Sequence, residues 1–209
     1  MNVSGEDGKR RTQAERRAAT RRSLLDAARS MFAENGYHGT AAEEIVRRAG
    51  MTRGALYHHF EDKKDLFRAV VDEMEGEIDE EIEEAERAQP NLPETVMAGY
   101  RAFLDAVLVP EMRRTFFLEG PAVLGWEWRE IDARHAVGKI EEGLASLIAE
   151  GFVEPQPVGP LARLINGALL EAAFFAAASE DPEAARDEAW GAMERLVGGL
   201  LRYRPAAQR

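Results

Sequence analysis

Apolar residues recur every three to four positions through most of the chain, the spacing that places side chains on one side of an α-helix. The first such stripe begins at Leu24 and ends before Asn35-Gly36, a pair that predicts the end of a helix. No run of alternating β-branched residues predicts a strand. The pattern therefore predicts an all-α protein of about nine helices.

Residues 40–50 predict a short helix with a defined start and end. Thr40 is expected to cap it, and Glu43, three residues later, to complete a capping box. Gly50 is expected to end the helix, because a residue without Cβ adopts the left-handed conformation at low cost.

A second short helix is expected to start at Thr52, with Leu56 facing inward and Arg53 outward. A helix of about seven residues is not stable alone in water, so it must dock on its neighbours. Two short helices joined by a tight turn are the sequence form of a helix-turn-helix, whose second helix enters the major groove of DNA. Arg53 can bind guanine N7 and O6, Thr52 can contact a thymine methyl or a phosphate, and Gly54 permits close backbone approach.

Residues 20–67 resemble the N-terminal signature of the TetR family of bacterial transcriptional regulators. Ala41 and Met51 depart from it, where that family often has threonine and valine. The matching residues are Leu24-Leu25-Asp26-Ala27-Ala28, Phe32, Gly36-Tyr37, Thr40, Ile45, Ala49-Gly50, Gly54-Ala55-Leu56-Tyr57, His59-Phe60 and Lys63.

The resemblance implies a helix-turn-helix domain with a basic arm at residues 1–66 and a larger helical effector-binding and dimerisation domain at residues 67–209. It also implies a ligand-responsive regulator, most commonly a repressor, that binds a palindromic operator as a homodimer and is released by a small molecule. A DNA-binding architectural or protein-sensing module without such a ligand remains an alternative. Further DNA contacts implied by the resemblance, mainly to phosphates, are Thr40, Tyr57, His58, His59 and Lys63.

Charge is distributed unevenly along the chain, whose net charge is −11. Residues 1–68 hold 14 lysines and arginines against 10 acids, whereas residues 69–209 hold 13 against 28. Such asymmetry draws one end of a protein towards a polyanion. The basic residues at the start of the chain could form an arm that orders on DNA, or a solvated tail and the exposed side of a helix. They are Lys9, Arg10, Arg11, Arg16, Arg17, Arg21 and Arg22.

Residues 63–87 predict a long helix whose segment 72–86 contains ten acids and no base. Like charges repel along such a helix, so only its apolar stripe is expected to anchor it. A metal site among these acids is not expected, because helical carboxylates diverge instead of converging on a cation. His58-His59 also lacks a second ligand at helical spacing, so neither a metal nor a cofactor is predicted.

The middle helices combine aromatic and apolar residues with a few polar ones. This composition is typical of ligand pockets and also of ordinary cores. We expect a small apolar or aromatic effector in a pocket among these helices. The candidate lining residues are Tyr100, Phe103, Met112, Phe116, Trp126, His135 and Asn166.

The last two helices, predicted at about 160–179 and 183–202, are the most apolar. They have more apolar surface than one bundle can cover, which indicates a partner surface, although an intramolecular core is the alternative. In the TetR family the corresponding hairpin packs against the same hairpin of a second protomer and forms the dimer interface. The candidate interface residues are Leu161, Ile165, Ala168, Ala172, Phe175, Trp190, Met193, Val197 and Leu200.

Several function classes are disfavoured by what the sequence lacks. It has no cysteine, which excludes disulfides, thiolate zinc sites and cysteine nucleophiles. It has no GxSxG, P-loop, HExxH or dinucleotide fingerprint, so an enzyme is not expected. It also lacks a secretory apolar segment and any run of about 18 uncharged apolar residues, so a cytoplasmic location without a membrane partner is expected.

Overall fold

The computed structural model describes residues 12–201, which contain helices and no strand. The predicted all-α class is confirmed, and the predicted basic residues Lys9, Arg10 and Arg11 lie outside the described part. Nine α-helices form within residues 12–201: α1 (Gln13–Gly39), α2 (Ala42–Arg48), α3 (Arg53–His59), α4 (Lys63–Arg87), α5 (Leu92–Asp105), α6 (Gly120–Leu124), α7 (Trp126–Ala149), α8 (Val158–Ala177) and α9 (Pro182–Gly198).

The chain divides into two compact units between Phe67 and Arg68, inside α4. The N-terminal unit contains α1 to α3 and the first residues of α4. The C-terminal unit contains the rest of α4 and all later helices. This division is one residue from the predicted domain boundary, whose functional meaning stays a prediction.

The core of the N-terminal unit forms around the apolar stripe of α1. Leu24 and Phe32 are fully buried, and the Phe32 ring meets the Phe67 ring edge-on at 5.0 Å between centroids. Burying a side chain of this size contributes about 1.5–3 kcal/mol. Gly36 has a φ of 75° and interrupts the regular helix within the range of α1, so the predicted helix end at Asn35-Gly36 is confirmed. One further turn follows Gly36 before α2 begins.

The C-terminal unit has an aromatic core around a short non-α segment. Ala106–Leu108 forms a 3₁₀ turn, and Met112–Glu119 forms a π-helix. Phe116 on that π-helix packs against Trp128 of α7, with 5.3 Å between ring centroids, and both side chains are buried. The hydrogen bonds of a π-helix span five residues, so its side chains face different directions from those of an α-helix.

Helix α8 is long and apolar enough to cross a membrane by length and composition alone. It carries Arg163 and Glu171 and packs against α7 and α9. A helix at the centre of a helical bundle has this same composition. The contacts of α8 with α7 and α9 account for the apolar residues on its buried side.

Candidate functional site

Helix α3 is held on the surface by a defined turn. Gly50 follows α2 with a φ of 66°, as predicted, and turns the chain towards Thr52. The Thr52 hydroxyl accepts a hydrogen bond from the Ala55 N–H at 3.2 Å and caps α3, which begins where the second short helix was predicted to start. Leu56 is fully buried and anchors this seven-residue helix to the rest of the unit.

The outer side of α3 presents Arg53 and Tyr57 to solvent. The Arg53 side chain is 69% exposed, lies 3.3 Å from a carboxylate oxygen of Glu43 and packs over the Tyr57 ring. Exposed ion pairs of this kind contribute about 0–1 kcal/mol. The guanidinium can therefore exchange Glu43 for another acceptor at little cost.

A groove between the start of α1 and α3 gathers further cationic side chains. Burial of His59, followed by the charges of His58, Arg17 and Arg21, lowers the pKa of His59, so this part of the surface is electropositive. A surface of this sign favours the binding of phosphate groups. The groove is lined by Gln13, Arg16, Arg17, Thr20, Thr52, Gly54, Ala55, His58 and His59.

Arg17, which lines this groove, and Arg21, whose charge also acts on His59, were predicted as part of a basic arm and not as neighbours of α3. The spacing of Arg17 and Arg21, four residues apart, places both on one side of a helix. Their proximity to His59 depends on how α1 packs against α3, which helical spacing alone does not show.

Thr40 does not have the predicted position. Its side chain is fully buried, and its hydroxyl lies 2.8 Å from the Gly36 carbonyl oxygen and 3.1 Å from that of Met31. Helix α2 begins two residues later, with Ala41 as an N-cap that makes no side-chain hydrogen bond. The predicted capping box with Glu43 is therefore wrong, and the buried Thr40 hydroxyl is not available to DNA in this structure.

Replacing Thr40 with valine is expected to lower the free energy of unfolding by about 1–3 kcal/mol, because the Gly36 and Met31 carbonyl groups lose the hydroxyl hydrogen that they share. Urea denaturation measures this loss. Thr95→Val is the matched control, since the Thr95 hydroxyl bonds to the Asn91 carbonyl at an exposed position where water can replace it. Equal losses in the two variants would contradict the role given to Thr40.

Lys63, at the start of α4, is engaged within the N-terminal unit. Its ammonium donates to the carbonyl oxygens of Tyr37, at 2.8 Å, and Thr40, at 3.0 Å, and lies 4.1 Å from the Tyr37 ring centroid. These contacts fix the start of α4 against the corner between α1 and α2. The predicted phosphate contact of Lys63 stays a prediction.

A cavity of about 70 Å³ lies inside the C-terminal unit, between α4, α5, α7 and α8. Of the seven predicted pocket residues, Tyr100, Phe103 and Asn166 line it. The complete lining is Asp79, Ile82, Glu86, Val96, Gly99, Tyr100, Phe103, Ala136, Lys139, Ile140, Gly143, Asn166 and Leu169.

The other four predicted pocket residues do not line this cavity. Met112 and Phe116 are buried on the π-helix, whose register directs Phe116 towards Phe117 and Trp128. Trp126 is 73% exposed at the start of α7. His135 is half-buried and pairs with Asp79. The pocket assignments of these four residues are therefore wrong for this cavity.

Ion pairs connect the acidic helix α4 to α7. Asp79 lies 2.7 Å from Nδ1 of His135 and 3.1 Å from the Lys139 ammonium. Lys139 also lies 3.1 Å from Glu83, and Arg134 of α7 binds Asp72 at 2.9 Å. The expectation that only the apolar stripe anchors α4 is therefore wrong. No group of three or more acids and histidines within residues 12–201 is placed to hold a metal ion.

Two carboxyl groups lie deep in the C-terminal unit. Glu75 is 2% exposed, and its Oε2 has no hydrogen-bond partner among the described residues. Burial, together with the charges of Asp132, Asp79 and Asp72, raises the pKa of Glu75 well above its ordinary value. Asp132 is 1% exposed and accepts a hydrogen bond from Nδ2 of Asn166 at 2.8 Å, while burial raises its pKa.

Glu75→Gln is expected to stabilise the protein by about 1 kcal/mol at neutral pH, because an amide removes the cost of burying a charge and can donate to nearby carboxylates. The folded protein holds the Glu75 proton more tightly than the unfolded chain. The free energy of unfolding therefore falls as pH rises from the ordinary pKa of 4.5 towards the raised pKa. The gain should be larger at pH 8 than at pH 5.

Urea denaturation at both pH values measures this difference, with Glu80→Gln on the exposed side of α4 as the control. A gain that does not depend on pH, or that appears equally in Glu80→Gln, would contradict the explanation.

Helices α8 and α9 carry apolar side chains on two sides. Of the nine predicted interface residues, Ile165, Met193 and Val197 are between 2% and 4% exposed and pack inside their own chain, so their assignment to an interface is wrong. Phe175 is 54% exposed. The predicted residues Leu161, Ala168, Ala172, Trp190 and Leu200 are half-buried.

Leu164 and Leu196 are the residues that the interface prediction missed, with 72% and 57% of their side chains exposed. Leu161, Leu164, Ala168, Ala172 and Phe175 follow helical spacing along the outer side of α8. We use the name outer hairpin face for the three large apolar side chains of α8 and α9 that are exposed in a single chain, Leu164, Phe175 and Leu196. Large exposed apolar side chains of this kind mark interaction surfaces when they are grouped.

The helical fold and the exposed helix α3 define a class of protein. It is an all-helical DNA-binding protein with a helix-turn-helix unit and a separate helical unit. The family model for "Bacterial regulatory proteins, tetR family" matches residues 24–70. The model for "Tetracyclin repressor-like, C-terminal domain" matches residues 93–200.

Solved structures and sequence relatives agree with these matches. A TetR-family transcriptional regulator from Pectobacterium atrosepticum has 37% identity and a TM-score of 0.84, covering 93% of this chain and all of that one. The transposon Tn10 TetC protein of Escherichia coli is 28% identical over 165 residues, which are 78% of this chain and 83% of TetC. RolR in complex with resorcinol shares the fold, with 21% identity, a TM-score of 0.71 and coverage of 89% and 91%.

The chain belongs to the TetR family of bacterial transcriptional regulators. The resemblance expected from residues 20–67 is thereby confirmed, and it extends through the C-terminal unit.

Proposed function

We propose that this regulator represses transcription by binding a palindromic DNA operator as a homodimer, and that a small effector releases it. The observation that carries the proposal is the position of α3, which is docked through Leu56 and presents Arg53 to solvent. The match to a tetracycline-repressor-like C-terminal domain supports repression. A regulator of this kind acts in the cytoplasm.

In the proposed complex, α3 enters the major groove. Arg53 binds the N7 and O6 of a guanine, while Thr52 and Gly54 lie close to the DNA at the start of the helix. Tyr57, His58, His59 and Lys63 contact phosphates and fix the register of the helix. Arg16 and Arg17, which line the groove beside α3, add further phosphate contacts.

Dimerisation places two copies of α3 on one duplex. A symmetric pair of such helices reads two half-sites about one helical turn apart, or a multiple of that distance. The outer hairpin face supports this arrangement, because three large apolar side chains are exposed there in a single chain. A second copy of the hairpin would bury them.

The cavity in the C-terminal unit is the proposed effector site. At about 70 Å³ it is smaller than the roughly 300–1,000 Å³ of drug-sized pockets, so a small effector or some widening is needed. The resorcinol complex of RolR supports a small molecule with an apolar or aromatic body in this fold.

Helix α4 is the proposed route from effector to DNA. It lines the cavity through Asp79, Ile82 and Glu86, and its first residues belong to the N-terminal unit. An effector that prefers a conformation with α4 shifted would change the separation of the two α3 helices. DNA affinity then falls by the ratio of the effector's affinities for the two conformations. This ratio corresponds to a coupling free energy that is typically about 1–3 kcal/mol.

DNase footprinting of the DNA that flanks the protein's own gene tests the proposal. A repressor should protect one palindromic segment at low protein concentration. An architectural protein, the alternative, should coat the DNA with little sequence preference. Uniform protection without a preferred segment would contradict the proposed function.

A further inference from the structure

The cavity contains polar groups that the protein itself leaves without partners. Tyr100 is 7% exposed and lines the cavity, and its phenolic oxygen has no hydrogen-bond partner among the described residues. Glu86 lines the same cavity, and its carboxyl group forms no hydrogen bond or ion pair within residues 12–201. The two groups are close enough that the charge of Glu86 acts on the Tyr100 hydroxyl. A buried polar group without a partner is costly, so the Tyr100 hydroxyl indicates a missing ligand.

The position of Glu86 depends on Gly99. A Cβ at residue 99 would lie 2.5 Å from Oε1 of Glu86, so the carboxyl group packs directly against the backbone of α5. Glycine at this position leaves room for the Glu86 carboxylate beside the cavity. Alanine there would displace it.

The cationic side chains near the cavity are already engaged by other acids. Lys139 lies 3.1 Å from both Asp79 and Glu83, and His135 lies 2.7 Å from Asp79. Glu75 and Asp132 add two more carboxyl groups deep in the same unit, with Glu75 Oε2 and Asp132 Oδ1 unpartnered. Burial also raises the pKa of Glu86, while the charge of Lys139 lowers it and that of Glu83 raises it.

Apart from Asp79, Lys139 and Asn166, which already have ion-pair or hydrogen-bond partners, the remaining walls are apolar. Ile82, Val96, Phe103, Ile140 and Leu169 line the cavity. Its volume of about 70 Å³ holds roughly five water molecules, at about 10–15 Å³ each. A ligand that fits with little rearrangement therefore has a small apolar body.

We infer that the effector is a small organic cation, whose ammonium group binds between the Glu86 carboxylate and the Tyr100 hydroxyl while its apolar body contacts Phe103 and Leu169. This inference rests on the proposed function of the cavity as the effector site. An ammonium supplies the donors that both oxygens lack, and charge-assisted hydrogen bonds are roughly twice as strong as neutral ones. An anionic ligand would instead be repelled by Glu86 and Asp79.

Three probes with the same ring and different charge test the inference: benzylamine, benzyl alcohol and benzoate. Benzylamine is a cation at pH 7, benzyl alcohol is neutral and benzoate is an anion. Binding to the full-length protein is measured by calorimetry and by the shift in Tm. We expect benzylamine to bind about tenfold more tightly than benzyl alcohol, the gain from one charge-assisted hydrogen bond, and benzoate not to bind.

Two variants locate the site. Glu86→Gln should reduce benzylamine affinity about tenfold, to the level of benzyl alcohol, and leave benzyl alcohol affinity unchanged. Tyr100→Phe, which removes only the hydroxyl, should weaken benzylamine binding severalfold. Glu84→Gln on the exposed side of α4 loses the same charge outside the cavity and should behave as the wild type.

A wild-type protein that binds benzyl alcohol or benzoate as tightly as benzylamine, or that binds none of the three, would overturn the inference. So would unchanged benzylamine affinity in Glu86→Gln, or an equal loss in Glu84→Gln. Operator binding in the absence of any probe is measured separately on the same samples. If the protein binds the operator but does not prefer benzylamine, only the cationic effector is rejected. If the protein does not bind the operator, the proposed function is rejected.

Discussion

Replacing both Leu164 and Leu196 with aspartate is expected to convert the dimer to a monomer and to lower operator affinity by at least about 100-fold. The two leucines are 72% and 57% exposed in a single chain, so a second copy that covers them would bury this apolar surface. Burying each leucine contributes about 1.5–3 kcal/mol, and twofold symmetry applies each loss twice. A monomer then presents one α3, which can bind only one half-site.

Light scattering after size exclusion should give the variant a mass near the 23.2 kDa of one chain, and the wild type twice that mass. Fluorescence anisotropy with operator DNA measures the loss of affinity. Helical content should be unchanged by circular dichroism, because both positions are exposed in the single chain. Leu118→Asp is the matched control, since Leu118 is 43% exposed but lies outside the hairpin. A variant that remains dimeric would show that another surface forms the dimer.

Arg53→Ala is expected to lower operator affinity by about 1–3 kcal/mol, a factor of roughly 5 to 150, with a much smaller loss on random DNA. The guanidinium is 69% exposed and weakly held by Glu43, so it can reach a guanine that no other residue of α3 can read in the same bidentate way. Titrations of a labelled operator and of a scrambled duplex of the same length measure the two losses.

Arg17→Ala is the matched comparison. It removes the same charge from the groove beside α3, where a phosphate contact is proposed. Its loss should be similar on both duplexes, and the slope of log affinity against log salt should become shallower by about 0.9. If Arg53→Ala also weakened both duplexes equally, Arg53 would not read bases.

The features predicted correctly from the sequence depend on neighbouring residues. Thr52 caps α3 because its hydroxyl reaches an N–H three residues later, and Gly50 has a positive φ because the chain turns at that residue. Leu56 is buried because helical spacing directs it inward. Each of these depends on fewer than about five consecutive residues, the range over which helical geometry alone decides.

Two features that were predicted wrongly depend on contacts that reach beyond a single helical turn. Thr40 bonds to Met31 instead of capping α2, and Asp79 pairs with residues of α7 more than fifty positions away. The Asp79 pairs require the packing of two helices, whereas Thr40 is the residue that ends α1 and its hydroxyl bonds back to that same helix. The sequence pattern contains the charges and hydroxyls but not their partners.

The hairpin of α8 and α9 also shows what hydrophobic spacing cannot predict. Ile165 and Leu164 are adjacent apolar residues of α8, yet one is 3% and the other 72% exposed. Both sides of α8 are apolar, so hydrophobic spacing cannot tell which side faces the protein's own core. Phe116 and Trp126 were misplaced for a related reason, because the π-helix and the turn at Gly125 change the direction of the following side chains.

Selection of bound sequences from a pool of random DNA duplexes tests the central claim most directly. A homodimer that reads DNA through two copies of α3 should recover one palindrome, with half-site centres about 10 base pairs apart or a multiple of that distance. The same selection with Leu164→Asp and Leu196→Asp combined should recover at most a single half-site. Recovery of no shared sequence by the wild-type protein would contradict the claim that this regulator recognises a specific operator.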